Sequence, residues 1–333
     1  MTLFLLLLVI LVGVHVIGAI VATSIIAARI AEENPPEGVF ADIPGGRLHL
    51  YELGPAPTPD RLPILLLHGA TSNALDMVHG LGTDLARTRR VIVPDRPGHG
   101  WSDRPAGRRD SSPARQMNLI AEALRQRGIG RFVVVGHSLA GSLAANAALD
   151  HQDKVAGLVL LAAATHPWPG GINWYYRLAA TPVLGPLFVH TIMTPAGAWG
   201  LQKSAHEAFI PQPSPADYAR KTAAALVLRP REFRWNGQDV ADLKAFLAPQ
   251  SLRYGEITVP TAVLADPADH VVSTTFHSKT ITRQIKGSRL TLLEGVGHQI
   301  HYTAREAVLA EIMRVVEEAE EREAGHEGRT SIA

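Results

Sequence analysis

The sequence predicts an α/β protein: a mostly parallel sheet with helices on both faces, a helical insertion late in the chain, and one apolar helix ahead of it all. Short apolar runs alternate with helical stretches through most of the 333 residues. That alternation is the pattern of strands joined by crossover helices. It stops over residues 166–256 and then resumes. Residues 2–28 contain no Asp, Glu, Lys or Arg.

That uncharged segment makes a helix of about 40 Å at roughly 1.5 Å per residue, enough to cross a hydrocarbon layer of about 30 Å. A cleaved signal peptide is the competing reading. The run exceeds the usual apolar core of about 7–15 residues for such peptides, and no Lys or Arg precedes it. A retained single-pass anchor at 1–30 is therefore expected. Arg29 and Arg47 follow the span, which leans the rest of the chain toward the cytoplasmic face. The polar, Pro-containing "EENPPEGV" reads as a linker at 31–38 that separates anchor from core.

Two short strands, 39–43 and 47–53, meet at Gly45-Gly46 as a hairpin. "PILLLHG" (63–69) is continuously apolar, as a strand covered on both faces must be. "RVIVPD" (90–95), "RFVVVG" (131–136), "VAGLVLLAAA" (155–164), "PTAVLAD" (260–266) and "RLTLLEG" (289–295) repeat that pattern. Helices are expected between them at about 73–87, 112–126, 139–150 and 273–284, and a last one at about 303–321. The core thus falls in two parts, 39–165 and 257–321. Between them lies a mainly helical lid at 166–256, and a charged tail at 322–333 ends the chain. The lid holds Trp168, Trp174, Trp199 and Trp235, four of the five tryptophans.

The balance of charge, 32 Lys and Arg against 31 Asp and Glu, gives no general attraction to nucleic acid. Cysteine is absent, which excludes disulfides and thiolate metal sites.

"VVVGHSLAG" (133–141) turns from a buried strand into a helix at Ser138, with small residues on both sides. A serine hydroxyl is a weak nucleophile that needs a base and a site for the oxyanion it creates. A strand that stops and turns into a helix lifts the side chain above the sheet. It also puts the next backbone N–H at a helix N-terminus, where negative charge is favoured. The common pattern is G-x-S-x-G, and here Ala140 stands at the second Gly position with Gly141 one place on. Ser138 as a plain helix N-cap is the bland alternative. Three other segments weigh against it. "HGATSNA" (68–74) follows a buried strand and offers a second oxyanion donor at Ala70, beside that of Leu139. "DPADHVVS" (266–273) offers an acid, and "GVGHQIH" (295–301) offers a base, His298. All sit at the C-terminal ends of strands, the edge where an open α/β sheet binds ligands.

The chain order Ser138, Asp269, His298, together with the corner motif, resembles the α/β-hydrolase superfamily, esterase- and lipase-like, from about residue 39 to 321. "DRPGHGWSDRP" (95–105) is similar to the loop after that family's fourth strand, where it is architectural, so Asp95 is kept out of the site. The resemblance implies hydrolysis of esters or related bonds without metal or organic cofactor, on a small-molecule substrate. A lid follows the sixth strand. Asp269 is preferred to Asp266 because the relatives usually read Gly, two residues, then the catalytic Asp followed by Val or Ile: Asp269-His270-Val271-Val272 fits the second half, with Asp266 at the usual Gly position. The same triad serves perhydrolases and acyltransferases, and a non-catalytic scaffold would retain the fold. Haloalkane dehalogenases and epoxide hydrolases place Asp where Ser138 stands. Trp168, Trp174 and Trp199 are expected to help wall an apolar substrate pocket. His68 is expected to order the oxyanion loop, His137 to pack under the turn, and His301 to be an ordinary residue at a helix start.

Overall fold

The computed structural model describes residues 2–58 and 61–330, with side chains to 325. Its eight strands are β1 (Val39–Ile43), β2 (Gly46–Leu53), β3 (Ile64–Leu67), β4 (Val91–Pro94), β5 (Phe132–His137), β6 (Val155–Leu161), β7 (Thr261–Ala265) and β8 (Arg289–Leu292). They form one sheet in the order β1-β2-β4-β3-β5-β6-β7-β8. β2 runs antiparallel to both β1 and β4, and every other pair is parallel.

The strands that read as unbroken apolar runs are the ones covered on both faces: β3 to β7 are buried at every residue. Side chains alternate across a strand, so each run feeds two cores. Leu65, Leu67 and Val134 point into one, shared with helices Pro113–Gln126 and Ala140–Asp150. Ile64, Leu66, Val133 and Val135 point into the other, shared with Met77, Leu81 and the C-terminal helix Arg305–Thr330. Val308, Ile312, Val315 and Ala319 make the buried stripe of that last helix. The helix continues well past 321, so the charged tail is helical as far as Thr330; residues 331–333 lie outside the described residues.

The insertion between β6 and β7 is helical. Its main pieces are Trp174–Ala180, Leu184–Phe188, Thr194–Glu207 and Pro230–Gln250. It has its own apolar centre around Phe188, Val189, Leu226, Leu228 and Phe233.

The N-terminal helix α1 (Thr2–Glu33) departs from expectation at its far end. Its large apolar side chains from Leu3 to Val21 are mostly exposed, but Thr23 and Ile30 are buried, and Ile26 and Ile30 join the apolar centre of the lid. Residues 23, 26 and 30 share one helical face. The indole Nε1–H of Trp101 donates to the carbonyl of Asn34 at 3.1 Å, directly after the helix. The helix runs on to Glu33, so residues 31–33 of the expected linker are helical and 34–38 follow it outside any helix or strand; the docked residues 23, 26 and 30 belong to the expected anchor.

Candidate active site

Ser138 sits between β5 and helix Ala140–Asp150 with φ +54°, a left-handed conformation strained for a side chain with a Cβ. The corner closes only because its neighbours are small. A Cβ on Gly136 would lie 2.5 Å from the carbonyl oxygen of Ala140, and one on Gly141 would lie 2.2 Å from the Cβ of Ala163. The close approach of Ala163 puts the need for glycine at 141, which accounts for the displaced glycine of the motif. Backbone bonds hold the corner: Ser138 N–H donates to Leu161 O at 2.9 Å, and Ala164 N–H donates to Ser138 O at 2.9 Å.

Three side chains from distant segments meet there. Ser138 Oγ–H donates to His298 Nε2 at 2.9 Å, and His298 Nδ1–H donates to Asp269 Oδ2 at 2.7 Å. The other oxygen of Asp269 accepts from the backbone N–H groups of Val271 and Val272 at 2.7 and 3.0 Å. Asp266 does not reach the imidazole. Its Oδ2 accepts from Gly297 N–H at 2.7 Å and its Oδ1 from Ala268 N–H at 2.8 Å, so it braces the loop that carries His298.

Ala70 and Leu139 line the same cavity beside Ser138. The loop bearing Ala70 is pressed against the corner: a Cβ on Gly69 would stand 3.0 Å from that of Ser138. His68 orders this loop. Its Nδ1–H donates to Gly69 O at 2.9 Å, and its Nε2 accepts from Arg96 N–H at 3.0 Å. Burial and the Arg96 guanidinium hold its pKa well below the ordinary value, consistent with a neutral ring that uses one nitrogen as donor and one as acceptor.

Several partners of this loop carry no local signal in the sequence. Arg96 Nε–H and Nη2–H donate to His68 O and Gly69 O at 3.0 and 3.1 Å. Asn236 of the lid helix Pro230–Gln250 accepts from Thr71 N–H at 2.7 Å, and the Thr71 hydroxyl meets Tyr176 Oη at 2.8 Å. Thr71 itself has φ +56°. Arg96 falls two residues after β4, in "DRPGHG", and a charged residue at the end of so apolar a strand is the sequence signal for it. Asn236 lies 165 positions from Thr71.

His137 donates its Nε2–H to the carbonyl of His298 at 3.2 Å, and its ring lies 4.9 Å from that of His298. Burial, then His301 and His298, keep its pKa well below the ordinary value, so it braces the loop of His298 as a neutral ring. His301 is more than a helix-start residue: it is fully buried and its Nε2–H donates to Asp76 Oδ2 at 3.2 Å. Asp76, His137 and His301 are the one grouping among the described residues close enough to hold a metal ion. The Asp76 carboxylate there already accepts from both Tyr218 Oη and His301. Asp95 is architectural, tying together Ala74 N–H, Trp101 N–H and His49.

The cavity measures about 1000 Å³. Trp168 lines it, together with Tyr175, Tyr176, Leu201, Val240 and Phe276. Trp174 and Trp199 do not belong to its wall: they are 65% and 94% exposed. Helix Thr194–Glu207 faces the cavity with Leu201, Ser204, Ala205 and Glu207, and Ala208 follows it there, while position 199 falls about 200° away from 201 on the helical wheel.

The sheet order, the corner and the cavity are those of a hydrolase fold, and comparison with known proteins agrees. The sequence profile of the alpha/beta hydrolase fold matches residues 63–304. The chain belongs to that family. It is 28% identical over 289 residues to an uncharacterized protein of Mycobacterium tuberculosis, covering 79% of this chain and 76% of that one. It is 32% identical over 166 residues to a 2-hydroxymuconate semialdehyde hydrolase of Pseudomonas putida, covering 48% of this chain and 57% of the other. Among solved structures it resembles an esterase from Exiguobacterium antarcticum, with TM-score 0.63, 22% identity, and 84% of this chain and 99% of that one covered. It also resembles a membrane phospholipase A, with TM-score 0.66, 21% identity, and 96% and 99% covered.

Proposed function

We propose that the protein is a serine hydrolase that cleaves carboxylic esters of small or medium apolar substrates through an acyl-enzyme on Ser138. The observation that carries this reading is the unbroken hydrogen-bonded chain from Ser138 through His298 to Asp269, opening into a largely apolar cavity. His298 Nε2 takes the hydroxyl proton as Oγ attacks the ester carbonyl. Asp269 holds Nδ1 protonated and stabilises the imidazolium. The backbone N–H groups of Leu139 and Ala70 receive the oxyanion. The tetrahedral intermediate collapses as His298 returns its proton to the leaving alcohol. Water, deprotonated by the same imidazole, then releases the acid.

Residues 2–28 act in this reading as a retained membrane anchor. Exposed apolar side chains from Leu3 to Val21 support it, as does likeness to a membrane phospholipase A over almost the whole chain.

The test is a panel of p-nitrophenyl esters of rising chain length on detergent-purified protein, run beside its Ser138→Ala variant and with fluorophosphonate labelling. Ester turnover and labelling that both vanish in the variant support the reading. Undiminished labelling of the variant overturns the nucleophile. Faster turnover with peroxide or an alcohol as acceptor moves the reading to perhydrolysis or acyl transfer, and turnover of 2-hydroxymuconate semialdehyde in place of esters moves it to carbon–carbon hydrolysis.

A further inference from the structure

The lid concentrates exposed apolar side chains on one stretch, residues 183–199. Val183 is 79% exposed, Leu184 56%, Leu187 48%, Ile192 59% and Trp199 94%. Isolated exposed apolar residues are ordinary, but several large ones on one element mark a surface with a partner. The surrounding sequence offers nothing for a charged partner to recognise: residues 178–202 contain no Asp, Glu, Lys or Arg.

The same elements hold the end of α1. The helix packs on the turn Val189–Met193 and on helix Thr194–Glu207, and its Ile26 and Ile30 share a cluster with Phe188, Val189, Met193 and Leu201. About 20 helical residues cross a hydrocarbon layer of about 30 Å. A span beginning at Thr2 therefore leaves the hydrocarbon near residue 21. Residues 23–30 follow within about 14 Å of that point, at roughly 1.5 Å per residue. The part of the chain gripped by the lid is the part that has just emerged. The exposed apolar stretch is thus held at the level of the headgroups and upper acyl chains. Amphipathic elements bury an apolar face there, to a depth of about 5–10 Å, and tryptophan is enriched there.

We propose that residues 183–199 insert into the interfacial layer of the bilayer crossed by α1. The lid is then a second membrane contact, and helix Thr194–Glu207 separates lipid from the candidate active-site cavity. Trp199 is on the exposed side of that helix, while Leu201, Ser204 and Ala205 face the cavity. Esters dissolved in the bilayer reach the cavity past this one helix, without crossing bulk water. This rests on reading α1 as a retained anchor. A lipid surface is favoured as the occupant because the stretch is free of formal charge and continuous with the span.

The chain has no cysteine, so single cysteines report position without background. Full-length protein in phosphatidylcholine vesicles is labelled with a polarity-sensitive fluorophore at Leu184→Cys, Trp199→Cys, Ile10→Cys on α1, and Lys286→Cys ahead of β8. The expected result is blue-shifted emission at 184 and 199, quenched by shallow nitroxide lipids and spared by aqueous iodide. Position 10 is quenched by deep nitroxides and position 286 by iodide. Iodide quenching at 184 and 199 equal to that at 286, with position 10 still in lipid, overturns the lid insertion and leaves the anchor. Iodide quenching at position 10 as well overturns the anchor reading with it. Shielding of 184 and 199 from both quenchers, with energy transfer between labelled copies, assigns the patch to a second copy and overturns the lipid assignment. Leu184→Asp with Trp199→Asp should leave turnover of a water-soluble ester unchanged and slow that of the same acyl group presented in vesicles. Equal loss on both substrates overturns the lipid route. The fluorescence readings stand apart from catalysis, so failure of the hydrolase reading and failure of the insertion are told apart.

Discussion

Asp239 of the lid lies 2.8 Å from the guanidinium of Arg96, both fully buried, and that same guanidinium holds the carbonyls of His68 and Gly69. Asp239 also pairs with Arg104 at 2.8 Å. The lid thus reaches beneath the loop that carries Ala70. Breaking one side of a buried pair leaves an uncompensated charge, and here that charge is coupled to the oxyanion loop. Asp239→Asn keeps the shape and removes the charge. We expect kcat to fall about 10–100-fold, less than the roughly 10²–10³ for outright loss of an oxyanion donor, with KM changed little. Steady-state kinetics on a p-nitrophenyl ester check this. A proportionate rise in KM with unchanged kcat would instead mean that the lid shapes only the pocket.

Two aspartates follow β7, and their hydrogen bonds separate their roles. Asp269→Asn removes the acceptor that orders the His298 tautomer, and kcat should fall by about 10⁴. Asp266→Asn should cost far less in kcat and more in stability, because its carboxylate bonds Gly297 N–H and not the ring. Rates and melting temperatures of the two variants, measured side by side, would reverse the assignment if they ranked the other way.

His277 predicts a pH dependence of stability. Its Nδ1 accepts from the N–H groups of Thr165 and His166, both at 3.1 Å. Burial, with a smaller push from His166, lowers its pKa from 6.5 to about 4, against an opposing pull from Asp269. Between those values the unfolded chain binds more protons than the folded one, so stability must fall as pH drops from about 6.5 toward 4. The slope has a ceiling of about 1.4 kcal/mol per pH unit for one such group. His277→Asn keeps an acceptor and loses the titration, so its melting temperature should decline less steeply over that range. An identical decline would assign the effect to the other buried histidines.

Trp168, unlike Trp174 and Trp199, lines the cavity. Trp168→Ala should enlarge it and favour longer acyl chains. The hydrophobic term is about 0.8 kcal/mol per methylene, roughly fourfold in kcat/KM for each one newly buried. The ratio of rates for long and short esters is the measurement. Trp199→Ala should leave that ratio unchanged for esters in solution.

The docked end of α1 makes truncation depend on where it is made. A chain beginning at Ala22 keeps Thr23, Ile26 and Ile30 and should melt close to the full-length protein. A chain beginning at Glu33 loses that packing, at about 1.5–3 kcal/mol for each isoleucine that is fully buried, and should melt several degrees lower. Thermal denaturation of both in the same detergent decides this. Equal melting temperatures would mean the contact with the lid contributes nothing.

Much of the fold and half of the site were legible in order along the chain. Each buried strand announces itself, because a strand covered on both faces carries few polar side chains. The corner at Ser138 announces itself because two backbones pass too closely there for anything larger than Gly or Ala. His298 and Asp269 were legible because they follow strands whose C-terminal ends share one edge of the sheet. These are local constraints, written into neighbouring residues. Only the tertiary structure decided what depends on approach across the chain. It gave Asp266 its place off the imidazole, with its carboxylate on the N–H groups of Gly297 and Ala268. It turned Trp199 outward, because helix Thr194–Glu207 presents Leu201 and Ala205 to the cavity. It set Asn236 and Asp239 against the loop of His68 to Thr71, far away in sequence, and it laid the end of α1 on the lid. A hydrogen bond or apolar contact between distant segments leaves no periodicity in either one, so these relations emerge only once the chain has folded.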